Sequence, residues 1–104
     1  MPKYLLAYHG GAQPETEEEG AKVMAAWMSW MGGLGEALVD GGNAIGTSKT
    51  LDSSGTVTDG GGANPVSGYS LLAAADFDAA IGLVKDCPIF DAGGTIEVAE
   101  TLEM

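Results

Sequence analysis

The chain starts with a short, largely apolar run that predicts a strand. In Lys3–His9, two tyrosines and a leucine alternate with leucine, alanine and histidine, a pattern typical of a strand that is apolar on both faces. Glycine pairs and triplets then fall between the periodic segments, as glycines in turns do. They stand at 10–11, 32–33, 41–42, 60–62 and 93–94.

The next segment has the signals of a helix. Thr16 is followed three residues later by Glu19, which is a capping-box pattern. Glutamates in the first turn also lie at the positive end of the helix dipole, where negative charge is stabilising. We therefore expect a helix that ends near Leu34 and frays through its glycines toward Val39.

This first helix is apolar almost all round. One face is formed by residues at spacings of three and four, Met24, Trp27, Met28 and Met31. Further apolar residues widen that face, namely Val23, Trp30 and Leu34. One small sheet cannot cover such a helix, so the pattern predicts self-association.

The second half of the chain predicts further strands and one more helix. Asp76 is a suitable N-cap for a helix whose apolar residues begin at Phe77, and Cys87-Pro88 ends it. The Asp52–Gly55 segment has strong turn residues, and 60–65 is predicted as a surface loop. Strands are predicted at 43–51, 56–59, 68–74 and 95–102.

The order of these elements predicts the fold class. Strand, helix, strand, a small hairpin insertion, strand, helix and strand is the βαββαβ order of an α+β, ferredoxin-like protomer. We predict one domain over residues 1–104. Such a sheet carries its helices on one face, and pairing two sheets about a two-fold axis covers the other. The sequence thus predicts a homodimer that forms an α+β barrel.

Composition and charge exclude several classes of partner. The chain has 15 acidic and 4 basic residues and a formal charge of −11. Its four basic residues are lysines far apart in the sequence, without arginine, so the clustered basic residues that bind nucleic-acid phosphates are missing, and an anionic membrane surface would repel the chain. No apolar run reaches the roughly 18 residues of a membrane span. The single cysteine, Cys87, cannot form an internal disulfide, and we expect a cytoplasmic protein.

Four segments resemble YCII-related domain proteins. They are KYLLAYHGG, KVMAAWMSWMGGLGEALVDGGN, NPVSGYSLLAAADFDAA and GGTIEVAETLEM. The resemblance implies a dimeric α+β barrel of ferredoxin-like protomers. Some relatives are small-molecule enzymes with a His–Asp pair, whose histidine lies in the first helix. That helix has no histidine here, and Leu34 or Gly35 takes the place of the aspartate, so the pair cannot be transferred by position.

His9 is the only histidine of the chain, and it stands at the end of the first strand before two glycines. An imidazole can accept and donate a proton near neutral pH, so His9 is the candidate general acid and base. Asp40 follows the first helix and is the candidate that orients His9. The structural alternatives are a strand-end histidine bonded to backbone and an ordinary Asp-Gly-Gly turn.

Other residues are candidates for contact with a substrate. Asn43, Ser48 and Lys49 offer polar groups near the second predicted strand, and Lys49 could attract a carboxylate. Trp27 could line an apolar cavity and Tyr69 could donate a phenolic proton, although core packing is the commoner use of both. Neither a phosphate-binding glycine loop nor a metal-ligand spacing is recognisable, so no cofactor or metal is predicted.

Two classes of function remain open. The first is a cofactor-independent enzyme that uses His9 for proton transfer on a small organic molecule, as in isomerisation or elimination. The second is a non-catalytic module that binds a small ligand or serves only for dimerisation. A fold of this kind does not by itself decide between them.

Overall fold

A computed structural model describes residues 1–103 of the chain. Its elements are β1 (Lys3–His9), α1 (Glu17–Leu34), β2 (Leu38–Asp40), β3 (Lys49–Leu51), β4 (Val57–Asp59), β5 (Val66–Ala73), α2 (Phe77–Val84) and β6 (Thr95–Glu100). Single turns of 3₁₀ helix precede β2 and follow α2, at Gly35–Ala37 and Pro88–Phe90. Two helices with antiparallel sheets confirm the predicted α+β class.

Four strands form the main sheet in the order β2-β5-β1-β6, and every neighbouring pair is antiparallel. The first and last strands of the chain are therefore neighbours, and β5 separates β1 from β2. This arrangement is compatible with the ferredoxin-like class. Strands β3 and β4 pair only with each other, as a separate hairpin.

Local sequence signals explain where both helices begin. The Thr16 hydroxyl accepts a hydrogen bond from the Glu19 backbone N–H at 3.1 Å, as the capping pattern predicts. Asp76 accepts from the Ala79 N–H at 2.8 Å and caps α2 in the same way. Helix α1 ends at Leu34, as predicted, and a single 3₁₀ turn at Gly35–Ala37 follows it where fraying toward Val39 is predicted.

The second strand of the main sheet differs from the prediction of 43–51. The chain pairs with β5 earlier, through Leu38–Asp40, and touches β5 again at the isolated bridge between Ala44 and Gly68. Gly42 lies between the two contacts with φ +69°, a conformation that glycine adopts without strain. A Cβ there would lie 1.8 Å from the carbonyl oxygen of Tyr69, so this bulge requires glycine.

The two faces of the main sheet are packed very differently. Tyr4, Leu6 and Tyr8 of β1 point to the face that carries the helices, and all three are buried. We call this side the helix face. Alternate residues of the same strand, Leu5, Ala7 and His9, are only half-buried on the opposite side, which we call the open face.

Helix α1 lies on the helix face without a single fully buried residue. Trp27 packs edge-on against Tyr8, with ring centroids 5.1 Å apart, and Trp30 packs against Trp27 at 5.7 Å. Met24 and Met28 point outward and are 63% and 68% exposed. Over residues 1–103, no helix has the length and apolar character needed to cross a membrane.

Candidate functional site

His9 occupies the last position of β1, and its side chain points to the open face. The imidazole is nevertheless only 13% exposed, because residues from two other parts of the chain close around it. One contact comes from the loop before β5 and the other from the neighbouring strand β6. The only histidine of the chain is therefore held in one orientation rather than left in solvent.

One ring nitrogen is bonded to backbone. Nδ1 of His9 lies 3.0 Å from the carbonyl oxygen of Asn64. Because a carbonyl oxygen only accepts hydrogen bonds, Nδ1 must carry a proton and donate it. This contact fixes the tautomer of the neutral ring, in the way that a backbone carbonyl often orients a working histidine.

The other ring nitrogen faces a carboxylate. Nε2 of His9 lies 3.3 Å from Oε1 of Glu97. An ionised carboxylate also only accepts, so this contact is attractive when a proton lies on Nε2 or on the carboxyl group. Nε2 is thus the nitrogen at which a proton can be gained or lost. The Glu97 side chain is largely exposed, and a bound molecule can take its place beside Nε2.

The sheet register explains why these groups meet. In the pairing of β1 with β6, Ala7 lies opposite Glu97 and His9 lies opposite Thr95. His9 and Glu97 are therefore diagonal neighbours on one face, within reach of long side chains. On the other side of β1 the register shifts after Tyr8, so that His9 lies opposite Val66, two residues after Asn64.

A row of three residues extends the site across the open face. Tyr69, Ala7 and Glu97 lie side by side on β5, β1 and β6. The small Ala7 side chain forms a low floor between the two larger ones. Asn43 Nδ2 lies 3.5 Å from the Tyr69 hydroxyl, so these two predicted site residues are adjacent. A small molecule on Ala7 would have an imidazole, a carboxylate and a phenol around it.

Asp40 does not reach His9 within the chain. It pairs with Leu71, which pairs with Leu5, so it lies two strands from β1 and about 13 Å farther along the strand direction. Its carboxylate accepts a hydrogen bond from the Gly42 N–H at 2.8 Å. Within one chain the structure does not bring Asp40 to His9, and the Asn64 carbonyl contacts the imidazole instead.

Three other predicted residues lie away from His9. Lys49 forms an ion pair with Asp59 across the hairpin, with 2.7 Å between Nζ and Oδ1. The Ser48 carbonyl accepts from the Gly60 N–H at the base of that hairpin. Trp27 packs on Tyr8, on the helix face, so the sheet separates it from His9. A shared cavity of Trp27 and His9 within one chain is thus ruled out.

Two grooves lie elsewhere on the molecule. A groove of about 480 Å³ between the end of β5 and the start of α2 is lined by Met1, Glu36, Ala37, Ala73, Ala74, Ala75, Ala79 and Leu83. A second, of about 320 Å³, lies between the two helices beside Trp30. Among residues 1–103, no cluster of three His, Cys, Asp or Glu side chains is placed to hold a metal ion. The chemical groups of the site therefore lie outside both grooves.

Cys87 is buried and chemically quiet. Burial raises the pKa of its thiol to about 11, so the reactive thiolate is scarce at neutral pH. This agrees with a structural role for the only cysteine.

Two residues of the site carry signals of different strength in the sequence. Glu97 alternates with apolar neighbours in the last strand, and the ferredoxin-like order places that strand beside β1. The pairing was therefore within reach of sequence reasoning. Asn64 contributes its carbonyl oxygen, which every residue has, so nothing in the sequence could mark it.

The chain matches no protein-family model and no curated protein, so the chemistry of the site rests on its own geometry.

Proposed function

We propose that this protein is a cofactor-independent acid–base catalyst for a small organic molecule, with Nε2 of His9 as the proton-transferring atom. The observation that carries the proposal is the double contact of the imidazole. Nδ1 is fixed by the Asn64 carbonyl at 3.0 Å, while Nε2 faces an exchangeable partner at 3.3 Å. A base held in this way has a fixed ring orientation, and its Nε2 nitrogen can exchange a proton with a bound molecule.

The surrounding groups suit proton transfer rather than nucleophilic chemistry. Glu97 can take up the Nε2 proton or return it, and Tyr69 with Asn43 offers hydrogen bonds to an oxygen of the substrate. Isomerisation or elimination beside a carbonyl group uses a positioned base and hydrogen bonds to the carbonyl oxygen.

We further propose that the active form is a homodimeric α+β barrel with the two open faces packed together. A folded monomer of 10.5 kDa exposes about 5,400 Å², whereas this chain exposes 7094 Å². The excess of about 1,700 Å² per chain exceeds the roughly 800 Å² per partner of a standard interface. The radius of gyration of 15.0 Å also exceeds the ~13 Å expected for this length.

The residues of the open face support that assembly. Between the polar groups of the site, the face consists of small and aliphatic side chains that are only half-buried in one chain. They are Leu5, Ala7, Leu71, Ala73 and Ala99. Packing two such faces about a two-fold axis would bury them and exclude water from His9.

Deuterium exchange into small carbonyl compounds tests the catalytic proposal. The protein would be incubated in D₂O with a panel of keto acids, keto esters and enones, and loss of the α-proton signal followed by NMR. We expect catalysed exchange of at least one class, abolished by His9→Gln and reduced tenfold or more by Glu97→Gln, since general acid–base catalysis contributes about 100-fold or more.

A matched control separates loss of the base from loss of the fold. Ser29→Ala removes an exposed polar side chain on α1, across the sheet from His9, and should leave the exchange rate unchanged. Exchange that persists in His9→Gln would contradict the proposal. So would an NMR spectrum in which Nδ1 of the neutral imidazole lacks its proton.

The binding-module alternative has one observation in its favour. The 480 Å³ groove beside α2 is almost entirely apolar and large enough for a small ligand. A ligand that shifts the methyl signals of Ala75 and Ala79 while leaving His9 unchanged would favour this function over the catalytic one.

A further inference from the structure

The β3–β4 hairpin, which we call the arm, extends from the molecule without support from the rest of its own chain. All six residues of its strands are exposed. Leu51 and Val57 lie opposite each other and are 69% and 58% exposed. An isolated two-stranded hairpin is at best marginally stable in water, so this pair needs a surface to pack against.

The turn of the arm is well fixed, so the arm is built to hold one shape. Asp52 accepts hydrogen bonds from the backbone N–H groups of Ser54 and Thr56, at 2.9 and 3.1 Å. Hydrogen bonds from the Ser54 hydroxyl, the strongest cause, and from the Thr56 backbone lower the pKa of Asp52.

The two sides of the arm differ in chemistry. Because strand residues alternate, the Leu51–Val57 pair and the Lys49–Asp59 ion pair lie on one side, and Thr50 and Thr58 lie on the other. The first side is therefore apolar at its tip and electrically neutral at its base. This side is suited to contact another protein surface.

The arm is joined directly to the His9 site. Its second strand leads into residues 60–65, and the Asn64 carbonyl in that loop accepts from Nδ1 of His9. In a dimer with facing sheets, an arm that starts at this end of one sheet lies beside the other sheet. On the open face of that sheet, Ala7 lies two residues from His9, and the apolar side chains of Leu5 and Ala99 lie farther along the strands.

We propose that the arm of each protomer packs its Leu51–Val57 pair against the open face of a second copy of this chain, beside His9, so that the site is complete only in the dimer. The inference rests on the proposed function and names the contact that the dimer adds to it. The arm then acts as a fixed wall that keeps water from the imidazole.

A second copy is the occupant that area and charge favour. The chain exposes about 1,700 Å² more than a monomer of its mass, which an obligate dimer would bury. Two chains of charge −11 repel each other unless the contacting surfaces are locally neutral. The arm meets that condition on the side that carries Leu51 and Val57, because Lys49 is paired there with Asp59.

A spin label on the arm tests this contact directly. Val57→Cys chains without ¹⁵N, with Cys87→Ala to remove the other thiol, would carry a nitroxide on the introduced thiol. They would be mixed with ¹⁵N-labelled wild-type chains that carry no nitroxide. Broadening in the ¹⁵N spectrum then arises only between chains. We expect it at residues 5–9 and 97–99. Broadening of α1 or α2 signals, or none at all, would overturn the proposal, and Leu51→Cys provides a second label position.

A disruptive double variant measures the strength of the contact. Leu51→Asp with Val57→Asp should raise the dimer dissociation constant about 100-fold or more, as loss of a central apolar contact does. The matched control is Met24→Asp with Met28→Asp, two equally exposed apolar residues on α1, which should change the constant less than threefold. The reverse result would place the dimer contact on the helices and overturn the proposal.

The two proposals fail in different experiments. Broadening on the open face without proton exchange in any carbonyl compound would contradict the catalytic function and support the arm contact. Proton exchange that depends on His9, without broadening between chains, would support the catalytic function and overturn the arm contact.

Discussion

The two faces of the four-stranded sheet share the same backbone but use their side chains for different purposes. On the helix face, Tyr8 donates to Ser70 at 2.8 Å and Ser70 donates to the Gly41 carbonyl at 2.8 Å, so these two buried hydroxyl groups are satisfied within the chain. On the open face, His9 and Glu97 share a proton-dependent contact that a bound molecule can replace. The helix face stabilises the fold, and the open face has polar groups that are available to a bound molecule.

This difference in packing between the two faces indicates which face of a small α+β chain carries its function. The helix face holds the fully buried residues Tyr4, Leu6, Leu72 and Ser70. Every titratable group of the candidate site lies on the other face, where packing within one chain is incomplete. The open face is therefore the one on which a partner or a substrate can bind.

The largest expected effect comes from breaking the helix face. Leu6→Ala removes a completely buried side chain and should lower the free energy of unfolding by about 3 kcal/mol, within the usual range of about 2–5. Leu5→Ala, the next residue on the open face, should cost under about 1 kcal/mol in dilute, monomeric protein. Urea unfolding measures both. Equal costs would contradict the difference between the faces.

Alkaline pH should weaken the helix face next. Burial raises the pKa of Tyr8 from 10.0 to about 12, and burial raises that of Cys87 from 9.0 to about 11. The unfolded chain therefore loses these protons first, and stability is complete below pH 9 and falls between pH 9 and 12. Each group contributes a slope of about 1.4 kcal/mol per pH unit within its window.

Two variants assign the parts of that decline. Cys87→Ala should remove the part between pH 9 and 11, and Tyr8→Phe the part between pH 10 and 12. Urea unfolding at pH 8, 10 and 12 measures both. A decline that stays the same in the two variants would show that other groups cause it.

Opening the buried hydrogen-bond chain should have a moderate effect. Ser70→Ala leaves the Tyr8 hydroxyl and the Gly41 carbonyl without their partner, at a cost of about 2 kcal/mol. In the Tyr8→Phe background the same change should cost less, because one of the two groups is already gone. A double-mutant cycle by thermal or urea unfolding gives the coupling, and strict additivity would contradict the hydrogen-bond chain.

The smallest expected effect is a change in the ¹⁵N chemical shifts of the His9 ring, which distinguishes Glu97, beside the imidazole, from the distant Asp40. Glu97→Gln should alter the ¹⁵N chemical shift of Nε2 in the single imidazole, whereas Asp40→Asn should leave both ring nitrogens unchanged. A clear response to Asp40→Asn alone would restore the pairing that the sequence suggested.

The parts of the fold that depend on neighbouring residues could be predicted from the sequence. The caps at Thr16 and Asp76 act within three residues, and both helix starts were found. The edge strand β2 could not be predicted in this way, because three residues directly after a helix are too few to show an alternating apolar pattern. Its position is decided by pairing with β5 and by the bulge at Gly42, which are tertiary effects.

In the candidate site, too, residue types could be predicted from the sequence, whereas contacts that depend on strand pairing could not. His9 stood out by residue type and by its place at a strand end, and Tyr69 and Asn43 were named for their polar groups. Asp40 is the candidate partner of His9 in the sequence, but the sequence does not give the register that decides which carboxylate meets the imidazole within the chain. Only the alignment of β1 with β6 brings Glu97 to Nε2.

The measurement that tests the account most directly compares the two faces in one spectrum. A soluble gadolinium chelate would be added to wild-type protein, and the attenuation of alanine methyl signals recorded. We expect Ala7 and Ala99 on the open face to be protected as strongly as Ala80, which is fully buried under the helices. Attenuation of Ala7 and Ala99 as strong as that of exposed Ala25 on α1 would show that nothing covers the open face, and would contradict the account.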